Sequence, residues 1–295
     1  MTKLVRKSIP FEVKRILREE VGFGCPVKDC GNPYLEYHHF DPPVHERPHN
    51  EPEGMIALCT HHHKKADGGA FTIEQLHALK ADRTNASIVK GKLDWLRRDL
   101  MAIVGGCFYY ETPRIIVIDD HELVSLKRDS DGYLRLSINM LSLASEERLI
   151  VRENSWENIG APTDLRSPPQ GRELEVMYHN GDYLYLRFVE LNDVNEACDR
   201  YKTNIFHSQE KHMRFPITAV EVNMKIGGTN IELSQESTKF GGAVVSGGFM
   251  LNCGAGIVLD KTGLQWAQNP KLKLSRKIER FYGSNVIKVD FKNGK

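Results

Sequence analysis

Cysteine and histidine are concentrated in one short stretch near the start of the chain. Three of the 6 cysteines and seven of the 12 histidines fall between residues 25 and 67. The seven are His38, His39, His45, His49, His61, His62 and His63. The first residues, MTKLVRKSIPFEV, contain no apolar signal-peptide core, so we expect a reducing compartment in which clustered cysteines bind metal rather than form disulfides. His45 and His49 are interpreted as solvated loop residues.

Two pairs within this stretch have the spacing of zinc ligands. Four residues separate the cysteines of CPVKDC, and two residues separate the cysteine and the second histidine of CTHH. Such pairs on separate turns converge on a tetrahedral Zn²⁺ through three thiolates and one imidazole. The predicted ligands are Cys25, Cys30, Cys59 and His62, with His61 or His63 as alternatives to His62. The ion would be structural, because a segment of about 60 residues has too little core to fix its loops alone.

The remaining residues predict a second, harder metal site. His38 and His39 end a predicted strand, and adjacent strand residues point to opposite faces. One of them can therefore bind a metal while the other acts on a water molecule. His63 and Asp67 are four residues apart on a predicted short helix and share a face, so they could hold one divalent cation together with His38. Such a cation can clamp a phosphodiester, and His39 would take the proton from the attacking water.

Residues 25–67 as a whole resemble the HNH endonuclease motif of the His-Me (ββα-metal) finger nucleases. The matching elements are the cysteine pair of CPVKDC, the strand end YHHFDPP and the run EGMIALCTHHHKKAD. The resemblance implies that His39 is the general base and His38 a metal ligand. It also implies that His63 and Asp67 are the helix-borne ligands of Mg²⁺ or Mn²⁺. The implied activity is metal-dependent hydrolysis of DNA phosphodiester bonds.

Two positions depart from the pattern of this family. The middle asparagine of the motif, which braces the loop that holds the base, corresponds here to Gly54. Asn50, in the same loop, is the candidate for that bracing role. Asp67 replaces the more usual final histidine or asparagine, and a carboxylate suits Mg²⁺ at least as well. The alternative function is a catalytically inactive zinc finger that binds nucleic acid or a protein partner.

The apolar pattern predicts an α+β protein in three parts. Residues 1–82 are expected to form the zinc-stabilised ββα-metal (HNH) finger, from a basic first helix to a last helix that opens at Thr72. Residues 83–104 are predicted to be a connector helix, because their apolar residues recur at 4-3-4-3 spacing. Those residues are Val89, Leu93, Leu96, Leu100 and Ile103. This seam either packs on its own domain or joins two chains into a homo-oligomer.

Residues 105–295 are predicted to be a mostly β domain for recognition, regulation or assembly. Asp131-Gly132 and Asn180-Gly181 lie between strand-like runs and indicate hairpins with type I′ turns. Further strands are predicted at 115–118, 149–152, 218–225 and 286–291, and a helix near 193–201. An activating protein or ligand would bind this domain, by analogy with restriction and phage-defence effectors.

Charge and hydropathy limit the class of protein. The chain has 40 Lys plus Arg against 39 Asp plus Glu, which excludes a polybasic protein. The longest apolar stretch, at 100–104, is far short of the ~20 residues of a membrane span, so we expect a soluble cytoplasmic protein. A near-neutral chain binds DNA weakly, so a partner, an oligomer or a local basic face must supply affinity. Lys64 and Lys65 are candidate phosphate contacts, or simply a solvated helix face.

Overall fold

The computed structural model describes residues 8–157 and 160–267, together with the backbone of 287–290. The described chain is mixed α+β and mostly β. Residues 8–88, here called the N-terminal unit, contain α1 (Phe11–Glu20), β1 (Leu35–His39), β2 (Met55–Cys59), α2 (Thr60–Asp67) and α3 (Ile73–Ala81). The predicted order of these helices and strands is confirmed. No helix in the described part of the chain is long and apolar enough to cross a membrane.

The N-terminal unit is built around the buried strand β2. All five residues of β2 are buried, because α1, α2 and α3 each pack against it. The helix ends follow from local sequence: α1 begins directly after Pro10, and α3 begins with a capping box in which Thr72 and Gln75 exchange side-chain hydrogen bonds with each other's backbone N–H. Leu17, Leu35, Phe40 and Leu76 complete this small core.

The remaining elements are strands with two short helices. The first group is β3 (Lys90–Lys92), β4 (Leu100–Val104), β5 (Cys107–Tyr110), β6 (Arg114–Ile118), β7 (His121–Arg128), β8 (Leu134–Asn139), β9 (Ile150–Arg152), β10 (Ser155–Glu157), β11 (Asp164–Arg166), β12 (Glu173–Met177) and β13 (Tyr183–Leu191). The second group is α4 (Val194–Tyr201), α5 (Ile205–Gln209), β14 (Ile217–Ile226), β15 (Ile231–Leu233), β16 (Thr238–Phe240), β17 (Ala243–Val245), β18 (Phe249–Leu251), β19 (Ala255–Asp260) and β20 (Ile287–Asp290).

These strands form two sheets that face each other across one core. Within the described residues, an eight-stranded sheet has the order β20-β19-β6-β7-β8-β9-β10-β3. The second, ten-stranded sheet has the path β11-β12-β13-β14-β15-β16-β17, with β4 parallel to β14, and β5 and β18 beyond it. Alternate side chains such as Leu184 and Leu186 of β13 and Val124 of β7 meet in the shared core. We call residues 89–267 with β20 the β sandwich; α4 and α5 cover part of its second sheet.

The prediction of a connector helix over 83–104 is wrong. These residues form a short 3₁₀ turn at Ala86–Ile88, the strand β3 and the strand β4. Every residue of β4 is buried, since the strand lies in the second sheet with a core on each face, and such a run has no polar side for a helix to expose. The β sandwich therefore begins near Val89 rather than at residue 105.

The predicted dimer seam fails for the same reason. Val89, Leu93 and Leu100 are at most 1 % exposed and belong to the core of the β sandwich, and Ile103 is buried on the other face of its second sheet. The 4-3-4-3 spacing arises because these residues reach buried sites from a turn, a loop and a strand. These four buried residues present no surface to a second chain, and Leu96, the fifth residue of the predicted seam, is half-buried.

Both Asx-Gly hairpins are present, but the type I′ turn was a wrong prediction. Asn180-Gly181 joins β12 to β13, and Asp131-Gly132 joins β7 to β8. In each pair only the glycine has a positive φ, +86° at Gly181 and +81° at Gly132. The Gly181 N–H donates to the Tyr178 carbonyl and the Gly132 N–H donates to the Asp129 carbonyl, so each loop is a type I turn followed by a left-handed glycine.

The other predicted elements of this part of the chain can be compared directly with the structure. The strands predicted at 115–118, 149–152 and 218–225 and the helix at 193–201 are confirmed with small changes of bounds. Residues 286 and 291 of the last predicted strand lie outside the described residues.

A buried ion pair joins the N-terminal unit to the β sandwich. The Arg18 guanidinium of α1 donates to both carboxylate oxygens of Asp164 in β11, at 2.9 and 2.5 Å, and both side chains are at most 4 % exposed. The same guanidinium donates to the Tyr37 hydroxyl at 2.8 Å, so β1 is held through it as well. Phe23, just after α1, lies in the core of the β sandwich with φ +65°. The two parts of the chain therefore share their buried surface.

We predict that Asp164→Asn destabilises the protein strongly. The substitution leaves the Arg18 guanidinium buried without its counter-charge, which costs about 3–5 kcal/mol of unfolding free energy in comparable pairs. Urea unfolding of the parent and the variant measures the difference. Glu12→Gln is the matched control, because it removes an exposed partner of Arg15 at 3.0 Å and should leave the midpoint nearly unchanged. Equal midpoints for all three proteins would contradict the assigned role of the pair.

Candidate functional site

The first cluster brings together the four predicted zinc ligands. The Sγ atoms of the three cysteines and the Nδ1 atom of His62 all lie within 4.8 Å of one another. The His62 Nδ1 atom is 3.3 Å from Cys25 Sγ and 3.3 Å from Cys59 Sγ, and Cys30 Sγ is 3.9 Å from Cys59 Sγ. Zinc bonds of ordinary length predict tetrahedron edges of about 3.5–3.8 Å, so the arrangement fits a tetrahedral zinc ion.

The electrostatics of this cluster favour a bound cation. Burial raises the pKa of the Cys25 thiol, and burial also raises the pKa of Cys30. Burial, with His61 and Lys65 nearby, lowers the pKa of His62, which keeps the imidazole neutral and able to bind metal. Three thiolates packed together repel one another, and a dication compensates for that charge. The cluster can therefore bind a metal ion such as zinc.

The elements around the cluster explain how its ligands converge. Cys25 and Cys30 lie on the turn after α1, where the Cys30 N–H donates to the Val27 carbonyl at 2.9 Å. Cys59 is the last residue of β2, and α2 begins at the next residue, so His62 comes back toward the thiols within one helical turn. The alternative ligand His61 is exposed, and His63 belongs to the second cluster.

The second cluster contains His38 of β1 with His63 and Asp67 of α2. One Asp67 carboxylate oxygen is 3.2 Å from His38 Nδ1 and the other is 3.2 Å from His63 Nδ1. Burial, and then the neighbouring His63, lower the pKa of His38, so this imidazole stays neutral at physiological pH. The imidazoles of His38 and His63 and a carboxylate that is 56 % exposed form a half-open donor set, which could hold a divalent cation with positions left for other ligands.

Glu36 adds a carboxylate that the sequence interpretation missed. Its Oε2 atom is 3.7 Å from His63 Nδ1, and Glu36 precedes His38 by two residues on β1, which places both on the same face of the strand. The alternation of side chains along LEYHH indicates that Glu36 and His38 share a face. It was not decisive, because a glutamate on a half-exposed strand usually contacts only solvent. Lys64 and Lys65, the predicted phosphate contacts, are exposed on α2 and lie outside both clusters.

The His39 side chain lies on the opposite face of β1 from His38, because adjacent residues of a strand point to opposite faces. It is only 7 % exposed, and its Nε2 atom is 3.0 Å from the His49 backbone carbonyl. A carbonyl can only accept, so Nε2 carries the hydrogen of a neutral ring and Nδ1 carries the lone pair. The ring of His39 thus has a defined tautomer, with the basic nitrogen at Nδ1.

His49, and not Asn50, braces the loop beside His39. The His49 ring lies edge-on to the His39 ring at 5.1 Å, donates from Nε2 to the Pro42 carbonyl at 2.9 Å, and accepts at Nδ1 from the Glu51 N–H at 3.2 Å. The interpretation of His49 as a solvated loop residue is therefore wrong, whereas His45 is 79 % exposed. Asn50 makes no side-chain hydrogen bond with the described residues. Spacing alone could not show that a backbone carbonyl supplies the acceptor.

Gly54 closes the same loop by a close backbone approach. Its carbonyl accepts from the N–H groups of Phe40 and Asp41 at 2.9 and 3.2 Å, and a Cβ atom at this position would lie 1.9 Å from the Asp41 carbonyl oxygen. An asparagine therefore does not fit here without moving the chain that follows His39. The backbone packing at this position therefore favours glycine over a residue with a side chain.

Comparisons of the chain with protein-family models, with curated proteins and with solved structures returned no match. What the two clusters do must therefore be inferred from their own residues.

We predict that the protein binds one zinc ion and that Cys59→Ser loses it. Loss of one thiolate should unfold much of the N-terminal unit, because metal-binding energy is folding energy in such small units. Elemental analysis after purification without chelator measures the zinc content. Cys198→Ser is the matched control, since Cys198 is buried against the second sheet and should leave the zinc in place. A parent protein without zinc would contradict the assignment.

We predict that Gly54→Asn lowers stability, although asparagine is the residue that the HNH motif has at this position. The new Cβ atom meets the Asp41 carbonyl, and overpacking of this kind costs about 1–3 kcal/mol. Thermal unfolding of the variant tests this. The control is Gly242→Asn, which lies outside the left-handed region of φ with no atom within 4 Å of its added Cβ and should be nearly neutral. A more stable Gly54→Asn protein would show that the loop closes differently.

Proposed function

We propose that this chain is a metal-dependent endonuclease of the HNH (ββα-metal) type that hydrolyses DNA phosphodiester bonds. The observation that carries the proposal is the pairing of a half-open His38–His63–Asp67 cluster with an adjacent buried histidine of fixed tautomer. Hydrolysis of a phosphodiester needs a base for water and positive charge at the leaving oxygen, and this pair of features supplies a place for each.

His38, His63 and Asp67 are the residues that would hold the catalytic Mg²⁺ or Mn²⁺. When bound there, the cation would neutralise charge on the scissile phosphate and on the leaving oxygen. The lowered pKa of His38 supports this role, because a protonated imidazole cannot coordinate a metal. The exposure of Asp67 supports it as well, since the open side of the cluster is where a substrate phosphate would approach.

His39 is proposed to be the general base. Its hydrogen bond to the His49 carbonyl orients the ring and keeps the hydrogen on Nε2, so Nδ1 can accept the proton of the attacking water. The ring contacts of His49 with Pro42 and Glu51 in turn hold that carbonyl in place. The four-ligand zinc cluster would serve only to fix α2 relative to the turn after α1.

The second candidate is a zinc finger that binds nucleic acid or a protein without cutting. Gly54 in place of the family's asparagine is the observation that favours it, because it removes the side chain that usually supports the base. The β sandwich would then be the effector part of the chain. In the favoured proposal, the β sandwich instead supplies substrate recognition or control through an activating protein or ligand.

We predict that His39→Ala abolishes nicking of supercoiled plasmid DNA in Mg²⁺ or Mn²⁺. Loss of a general base should reduce the rate about 10²–10⁴-fold, while zinc content and fold stay intact because His39 belongs to neither cluster. The matched control is His45→Ala, a substitution at an exposed histidine of the same loop, which should cut like the parent.

His63→Ala distinguishes loss of cation binding from loss of the general base. It should also inactivate the protein, but by weakening cation binding, so high Mn²⁺ should restore part of its activity and none of the activity of His39→Ala. A parent protein that does not nick DNA would favour the non-catalytic candidate. Undiminished nicking by His39→Ala would show that another residue is the base.

A further inference from the structure

A cleft of about 580 Å³ lies where the N-terminal unit meets a loop of the β sandwich. Lys14 of α1, Glu36 and Tyr37 of β1, and His63 of α2 line one side, and Pro169 lines the other. This volume is within the ~300–1,000 Å³ range of ordinary ligand sites. His63 belongs both to the cleft and to the candidate cation cluster, so the two are continuous.

Lys14 carries an uncompensated charge into this cleft. The side chain is half-buried, its ammonium lies 5.9 Å from the centre of the Tyr37 ring, and it has no ion pair with any residue that the structure describes. Its neighbour Arg15 differs, because it pairs with Glu12 at 3.0 Å and with Glu19 at 3.8 Å. A half-buried cation that lacks a carboxylate partner is suited to an anion from solution.

The opposite wall of the cleft is fixed to the strand that carries the candidate site. Tyr34, at the start of β1, forms a parallel bridge with Ser167, two residues before Pro169. The Tyr34 hydroxyl also donates to the Lys92 carbonyl at 2.5 Å and accepts from the Lys92 N–H at 2.9 Å. The bridge to Ser167 therefore places the start of the Pro169 loop beside β1, and the bonds to Lys92 attach the same end of β1 to β3.

We propose that this cleft is the groove for one DNA strand, with Lys14 neutralising a backbone phosphate next to the phosphate at His63 and the Pro169 loop forming the second wall. This proposal rests on the proposed nuclease function. Because the contact is made to phosphate, it strengthens binding equally for all sequences. It also supplies the local positive charge that a chain of net charge +1 needs for DNA binding.

The salt dependence of DNA binding tests the groove. Affinity for a labelled oligonucleotide is measured at several salt concentrations with Mg²⁺ present, in the His39→Ala background so that the DNA stays intact. Lys14→Gln should weaken binding uniformly across sequences and reduce the slope of log K against log salt by about 0.7–0.9, the value for one lost phosphate contact. The matched control is Lys225→Gln, which removes the same charge from an exposed position on β14 outside the cleft and should leave the slope unchanged.

A second variant approaches the groove from the other wall. Pro169 is exposed, so Pro169→Glu should fold normally while placing a carboxylate opposite Lys14, and it should also weaken binding. Zinc content of each variant confirms that the N-terminal unit is intact.

The outcomes separate the groove from the nuclease activity. A parent that nicks DNA, with unchanged slopes for Lys14→Gln and unchanged affinity for Pro169→Glu, overturns the groove and leaves the nuclease proposal standing. A parent that binds DNA with a Lys14-dependent slope but never nicks it supports the groove and overturns the nuclease proposal. A parent that does not bind DNA overturns both.

Discussion

The register between β1 and β2 positions those residues of the two candidate metal clusters that lie on β1, β2 and α2. In this antiparallel pair His38 lies opposite Ile56 and His39 lies opposite Met55. A slip of one residue would exchange the faces of His38 and His39, because side chains alternate along a strand. All of β2 is buried under three helices, so a shifted register has no equally good packing. Because α2 follows Cys59 without a loop, the same register directs His62 to the thiols and His63 to His38.

The sequence was most informative where local chemistry decides the structure. The cysteine and histidine spacings, the Thr72 cap and the positions of the two Asx-Gly hairpins depend on residues close together in the chain, and these parts were predicted well, although the type of turn was not. The segment 83–104 was not, because its burial depends on β14, which is more than a hundred residues away. Apolar spacing records only that residues are buried, and a strand between two cores can imitate the period of a helix.

The bracing of His39 illustrates a different limit. The acceptor that orients its ring is a main-chain carbonyl at His49, and every residue type has one. The type of residue at position 49 therefore does not reveal this role, whereas the asparagine of the HNH motif would have been visible in the sequence. Asn50 was the candidate for the bracing role because of its residue type, but it makes no side-chain hydrogen bond with the described residues. The loop closes through the His49 ring and the Gly54 carbonyl instead. Arg18 and Asp164 are similar: neither residue predicts the other across 146 positions.

The position of Phe23 has a consequence for how the two parts of this protein unfold. Phe23 lies three residues after the end of α1 and two before Cys25, yet its ring is buried in the sandwich core and its backbone adopts a conformation that bulky residues rarely take. A fragment of residues 8–88 alone would expose this ring to solvent, and the β sandwich without the fragment would contain a void in its core. The two parts of the chain are therefore expected to unfold together rather than as independent units.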